Sequence, residues 1–357
     1  MPTIAIVIAL TPIFDPDFSS SSFGYRPSRS AQGAVKQVQQ IIRRGYRWCV
    51  DMDSRRRVGF RHRRAKFFDR VQHEILKHHV ASKVRDKRLL KLIGRYLRAG
   101  VMVNGLCHRS EECTMQGGPL SPLLSNIYLD ALDKELEKRG LPFGRYANDF
   151  AIFVKSKAAA KRVYGSVERF LTQRLKLKVN HDKSSIRRTD GLEYVGYEFR
   201  GYGGQIRSSQ KKLRAFRQRF EEIFRQSIGR SMQSRFAEYR FCARGWLSYF
   251  ALEQVKSTLR DLDKWLRHRV RACYWRQWSK SKTRLRKLVA LGVPKRVARG
   301  SAMSGKGPWR LSRTSAVQRG LTIEYLADQG LFNLESYWKS FTPLRRTAGC
   351  GPACPVV

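Results

Sequence analysis

Residues 143–154, Phe-Gly-Arg-Tyr-Ala-Asn-Asp-Phe-Ala-Ile-Phe-Val, are the strongest constraint on what this chain can fold into. Two apolar runs rich in aromatic and β-branched residues flank a short polar centre, which predicts a β-hairpin pivoting on Ala147 to Asp149. Such strands hold the acid at the tip rigidly, provided that a core exists to bury them. With 357 residues, 42% of them hydrophobic and 11% aromatic, the chain can build that core, and its length suggests two or three domains.

The surrounding segments interleave helices and strands. Residues 11–30 carry Pro12, Pro16 and a serine run and read as a loop, followed by a helix from Ala31 to Arg44. Residues 47–53 read as a short buried strand ending in the acid Asp53, and residues 65–76 as the next helix. Between them, Arg55 to Arg64 holds six arginines and no acid, which predicts an exposed basic loop. A helix is expected over 85–97. The turn from Thr114 to Pro122 then opens a helix through Leu123 to Leu136. A further helix is expected over 163–175 and a strand pair over 192–199. This order predicts an α+β domain.

From Gln210 the strand signals stop. Leu213, Phe216, Phe220, Ile223 and Phe224 form one helical face, and Leu262, Trp265, Leu266, Val270 and Cys273 form another, so a separate all-helical domain is expected. Trp265 reads as core. Trp246, Trp275 and Trp278 read either as core or as platforms for unpaired bases.

Charge bounds the partner. Lys and Arg number 72 against 28 Asp and Glu, a formal +44, and a balance this basic is best matched by a polyanion, most simply nucleic acid. Both halves are positive, with 39 basic and 19 acidic residues up to residue 200 and 33 and 9 beyond it. No acid occurs from Lys264 to Arg319, where Arg276, Lys280, Lys282, Arg284, Arg286 and Lys287 cluster as candidate RNA contacts.

Seven scattered cysteines argue for reduced thiols in the cytoplasm, filling apolar core, and against a disulfide framework; Cys350 and Cys354 make only a lone CxxxC. Residues 1–10 are too short an apolar run to span a membrane and lack the pattern of a signal peptide. No phosphate-binding Walker loop is present, no Cys/His nuclease cluster follows the helical part, and nothing in the sequence fixes an oligomeric state.

Asp53 at one strand end and Asp149 at the hairpin tip are the carboxylates available for metal chemistry. Either alone reads first as a turn or cap residue. Their neighbours change that reading. Phe23-Gly-Tyr-Arg-Pro-Ser-Arg-Ser30 is similar to the FGFRPxRS segment of group II intron-encoded reverse transcriptase/maturases, residues 116–122 to that family's QGGPLSP, and residues 145–149 to its RYADD. Residues 175–183 resemble the lysine-bearing stretch after the catalytic hairpin, residues 194–197 the primer-grip strand, and residues 275–278 the maturase domain. Six motifs in the right order, over roughly residues 11–338, make the resemblance specific.

The resemblance implies a polymerase palm with truncated fingers, followed by an all-helical maturase or thumb domain and lacking an endonuclease module. It implies a remnant of fingers over 1–35, a palm over 36–205 with an arginine-rich insert at 54–64, a maturase domain over 206–338 and a tail over 339–357. Its substrates would be intron RNA, an RNA/DNA primer-template and deoxynucleoside triphosphates, its cofactor Mg²⁺, and its chemistry RNA-directed DNA synthesis. Asp53, Asn148, Asp149 and Lys183 occupy the catalytic positions, with Asp53 and Asp149 as metal ligands. Phe68 resembles the gate on the incoming sugar, and Gln116, Gly117 and Gly118 would line the template and nucleotide.

Three departures imply that polymerisation is impaired. Asn148 puts a neutral amide where the family has a carboxylate. Phe68 lies fifteen residues after Asp53 where the family has five, consistent with the arginine-rich insert. About 22 residues precede the Phe23 motif, fewer than a full fingers region. The alternative expectation is a non-enzymatic RNA-binding splicing cofactor or RNA chaperone.

Overall fold

A computed structural model describes residues 2–53, 71–98, 101–103, 106–108, 118–177, 179, 184–225 and 230–347. The chain divides into two compact units, Met1–Ile206 and Arg207–Val357.

In the first unit, α1 (Pro2–Phe14) buries Ile6, Leu10 and Phe14, four residues apart on one face. The loop expected from residue 11 therefore begins later, after a single 3₁₀ turn at Asp15–Asp17. Burial of Phe14 outweighs the one hydrogen bond that Pro12 removes from the last turn. Helix α2 (Ala31–Arg43) is capped by Ser30, whose hydroxyl accepts from Gly33 N at 3.1 Å. It buries Ala34, Val35, Val38, Ile41 and Ile42.

Strand β1 (Trp48–Asp53) is followed, among the described residues, by α3 (His73–Ala81). Of the helix expected over 65–76, residues 65–70 lie outside the described residues; α3 extends past residue 76 to Ala81, with Gln72 extended as its N-cap and His73, Leu76 and Val80 entering the core. Next come α4 (Lys87–Arg98), the short pair β2 (Val101–Val103) and β3 (Leu106–His108), and α5 (Ser121–Lys138). The hairpin follows as β4 (Phe143–Tyr146) and β5 (Asp149–Val154), then α6 (Lys157–Gln173) and β6 (Ser185–Arg188). The unit closes with β7 (Glu193–Tyr194), β8 (Tyr197–Arg200) and β9 (Gln205–Ser208), a small three-stranded sheet.

The main sheet has the order β4-β5-β1-β6, and β1 is antiparallel to both β5 and β6. One continuous core joins Val50, Met52, Phe150, Ile152 and Val154 of the sheet to α5 and α6. Helix α5 is buried nearly all round in its first half, with Leu123, Leu124, Ile127, Tyr128 and Leu129 inside, whereas its second half buries Leu132 and Leu136 and shows a polar stripe of Asp130, Lys134, Glu137 and Lys138.

The second unit is helical throughout the remaining described residues: α7 (Gln210–Ile223), α8 (Met232–Tyr249), α9 (Lys256–Gln277), α10 (Ser281–Ala290), α11 (Lys295–Ala302), α12 (Pro308–Leu311), α13 (Ser315–Gly320), α14 (Ile323–Asp328) and α15 (Leu334–Thr347). Buried polar groups pin the helix ends. Arg235 donates through Nη1 to the carbonyls of Ile223 and Arg225 at the end of α7, at 2.6 and 2.8 Å. Asp263 accepts from Leu334 N and Glu335 N, both at 3.0 Å, at the start of α15.

Phe220 sits at the centre of an aromatic cluster. Its ring centroid lies 4.4 Å from Phe224, 5.1 Å from Tyr239 and 5.4 Å from Trp265. Phe220→Ala is expected to destabilise the helical unit by about 3–5 kcal/mol, read as a lower urea midpoint, while Phe220→Leu should lose less than half as much.

Candidate active site and nucleic-acid interface

Asp53 and Asp149 stand directly opposite each other in the β1–β5 ladder. Facing positions of an antiparallel pair lie on one side of the sheet, within reach of a shared ligand. The sequence reading that put these two acids at neighbouring strand ends thus has a register behind it.

Between β4 and β5 the chain turns at Ala147 and Asn148. Ala147 is left-handed, with φ 56°, a strained setting for a residue with a Cβ. It is held from two sides. Gly24 lies so close that a Cβ there would stand 2.2 Å from Ala147 N, so the Phe23-Gly-Tyr motif needs its glycine for backbone approach. Backbone bonds Phe23 N to Arg145 O and Arg145 N to Ser21 O, both 2.9 Å, add the motif to the free edge of β4.

The second hold is Arg145, fully buried. Its Nη2 and Nε reach Asp133 of α5 at 2.6 and 2.9 Å, and its Nη1 donates to Asn126 Oδ1 at 2.9 Å and to Ala147 O at 3.1 Å. Asn126 in turn donates to Gly24 O at 2.8 Å. One guanidinium thereby ties together α5, the loop before α2 and the catalytic-position turn. Burial pushes the Asp133 carboxyl up, and the facing Arg145 charge opposes that push.

Asn148 is tied down as well. Its Oδ1 accepts from the Ser125 hydroxyl at 2.9 Å. An amide has one oxygen, so the atom with which Asn148 would ligate a metal is turned to α5. Nearby, Tyr194 is buried, its hydroxyl has no partner among the described residues, and burial together with the Asp149 charge pushes its phenol well above the usual range. Tyr194 and Tyr197 pair across the two-residue turn Val195–Gly196, where both residues are left-handed, as a tight hairpin requires.

Of the other expected site residues, Gly118 is described: its carbonyl accepts from Ser121 N at 3.2 Å, opening α5. Phe68, Gln116, Gly117 and Lys183 lie outside the described residues, as do the arginine-rich segment 54–64 and the pair Cys350 and Cys354. Among the described residues no group of three His, Cys, Asp or Glu is arranged to hold a metal ion, and no helix is long and apolar enough to cross a membrane. Cys49 and Cys273 are buried free thiols.

In the helical unit, Lys280, Lys282, Arg286 and Lys287 are exposed and Arg276 half-buried. Arg284 differs. Its Nε donates to Trp278 O at 2.8 Å and its guanidinium lies 5.1 Å from the Trp275 ring centroid, so it closes the end of α9. Trp275 and Trp278 are core side chains and not base platforms, a choice that the sequence left open. Trp246 and Trp265 pack against the same core.

Comparison with known proteins settles the family. Residues 4–199 match the model "Reverse transcriptase (RNA-dependent DNA polymerase)", and residues 213–289 match "Group II intron, maturase-specific domain". The chain belongs to the group II intron reverse transcriptase/maturase family. It is 29% identical to Protein YkfC of Escherichia coli (strain K12) over 54% of this chain and 58% of that protein. It is 36% identical to the group II intron-encoded protein LtrA of Lactococcus lactis subsp. cremoris over 40% of this chain and 22% of that one. The chain thus spans between about a fifth and three fifths of the length of these relatives. Members of this family bind RNA and use a divalent metal, and the α+β architecture of the first unit agrees with the expected palm.

Sequence reasoning quoted Arg145 and Gly24 as motif letters without a role and passed over Asp133, Asn126 and Ser125. The signal was available for Asp133 and Asn126: seven apart, they share one helical face with Leu129 and Leu136, and polar residues on an apolar face need partners. Arg145→Met, which strands the Asp133 charge in the core, should lower stability by about 3–5 kcal/mol. Adding Asp133→Leu should recover part of that loss, measured by thermal melting of both variants.

Proposed function

We propose that this chain is an RNA-binding maturase-type protein, acting in the cytoplasm, in which RNA-directed DNA synthesis is impaired or lost. The observation that carries the second half is the Ser125 hydroxyl on the Asn148 amide oxygen at 2.9 Å.

Mg²⁺, when bound, would supply the positive charge that activates a primer 3′-hydroxyl and steadies the triphosphate. Asp53 and Asp149 would hold it, being opposite in the ladder. The residues fit one such ion better than two, because position 148 offers a neutral amide whose single acceptor is already engaged. In the same reading Phe68 would pack on the incoming sugar, Gln116, Gly117 and Gly118 would line the template and nucleotide, and Lys183 would offset charge on the leaving group. Residues 36–205 would serve as the palm that receives an RNA/DNA primer-template and deoxynucleotides. Residues 206–338 would serve as the domain that grips intron RNA, and splicing assistance without synthesis is the form this function takes if extension is nil.

Two experiments test this. On poly(rA)/oligo(dT) with Mg²⁺ or Mn²⁺ the native chain should extend primers about a thousandfold more slowly than Asn148→Asp, whose second carboxylate oxygen leaves one free of Ser125. Ready extension by the native chain would overturn the reading, and no gain in Asn148→Asp would move the defect to the 54–64 segment or the fingers. For RNA binding, neutralising Arg276, Lys280, Lys282, Arg286 and Lys287 together should weaken binding at least tenfold and flatten its salt dependence. Arg284→Gln should instead lower the melting temperature; equal RNA affinity in the fivefold variant would remove this surface from the proposal.

A further inference from the structure

Trp309 lies beyond both matched segments, which end at residues 199 and 289. It belongs to the short helix α12 and is 37% exposed, whereas Trp275 and Trp278 are buried. Its indole lies against the His268 imidazole of α9, with ring centroids 3.6 Å apart and planes 39° apart. The guanidinium carbons of Arg269 and Arg313 stand 5.6 and 5.8 Å from the ring centroid, near the outer limit of a cation–π contact.

The platform is braced from behind. Trp309 O accepts from the Ser312 hydroxyl at 2.8 Å and lies 2.9 Å from His268 Nε2. A carbonyl oxygen can only accept, so His268 Nε2 carries the hydrogen; burial, with the Arg313, Arg271 and Arg269 charges, pushes the imidazole below its ordinary range, and the bond to Trp309 O opposes that push. Around the indole the charge is mainly positive. Lys306, Arg310 and Arg313 are exposed and no acid occurs from Lys264 to Arg319. Glu221 reaches in from α7, 3.4 Å from Arg269.

A partly exposed indole with two guanidinium groups at its ring suits a ligand with both a flat π surface and regular negative charge. A duplex satisfies the cations but keeps its base faces stacked inside, and an acidic peptide offers charge without a matching ring. An unpaired nucleotide within an RNA strand offers both. We propose that Trp309 is a stacking platform for one unpaired base of bound RNA, extending the His268–Trp309 stack, with Arg310 and Arg313 on the flanking phosphates. This rests on the RNA-binding reading above.

The test is anisotropy of labelled oligo(U) and of a short blunt RNA duplex with the full chain. Trp309→Ala should weaken oligo(U) binding by about 5- to 100-fold, leave duplex affinity within about twofold, and leave the salt slope unchanged. Trp309→Tyr should keep most of the oligo(U) affinity, and Arg313→Gln should lower the salt slope by about one. The platform is rejected if Trp309→Ala binds oligo(U) like the native chain, if it loses single-strand and duplex binding in parallel, if Trp309→Tyr is as weak as Trp309→Ala, or if poly-glutamate competes as well as oligo(U). Should Trp309→Ala fail to fold, the Tyr and Arg313→Gln variants decide. A native chain that binds neither RNA overturns both readings, whereas native binding untouched by Trp309→Ala overturns the platform alone.

Discussion

The buried ion pair between Arg145 and Asp133 is the constraint on which the catalytic-position hairpin depends. Taking two charges out of water is costly, and such a pair persists only when every remaining donor is satisfied. Here Arg145 meets Asp133, Asn126 and the Ala147 carbonyl, and Asn126 passes the connection on to Gly24. The strained φ of Ala147 is therefore held by the Gly24 backbone, the Arg145 guanidinium and the β4–β5 ladder. Removing Arg145 would leave Asp133 and Asn126, both buried, without their charged partner.

The same physics limits how the large positive charge should be read. Arg235, Arg271 and Arg284 each donate to main-chain carbonyls, of Ile223, Leu321 and Trp278 respectively. These arginines close helix ends and loops, a task that guanidinium performs well because its donors fan out in one plane. A formal +44 is thus an upper bound on the charge offered to a polyanion. The free portion is carried by side chains such as Lys280, Lys282 and Arg286, which are exposed and make no hydrogen bond or ion pair among the described residues.

Much of the fold was legible in the sequence because periodicity reports burial directly. The hairpin at 143–154, the strand ending at Asp53 and the helical faces through Leu213 and Leu262 all follow from which positions must leave water. Helix α1 was missed because Pro12 and Pro16 signal a turn locally, whereas the packing of Leu10 and Phe14 is decided by partners distant in sequence. Of the helix expected over 65–76, residues 65–70 lie outside the described residues, and α3 runs on past residue 76 to Ala81 because Leu76 and Val80 share its buried face. The tryptophans divided in a way that spacing could not foresee. Trp275 and Trp278 went inside, and Trp309, which no periodic pattern marked, stayed at the surface.

The candidate site was legible as chemistry but not as geometry. Which acids matter follows from their positions at strand ends, and the register adds that Asp53 and Asp149 are direct partners. The Ser125–Asn148 bond had no sequence signal, because it joins residues 23 apart on a helix and a turn. It also explains how an amide is accommodated at this position without disturbing the frame. The ion pair, the Gly24 contact and the ladder all act through residues other than 148, so the hairpin keeps its shape whether that side chain is charged or neutral. In the proposed site, an amide at position 148 would cost a metal ligand while the buried network that built the turn stays satisfied.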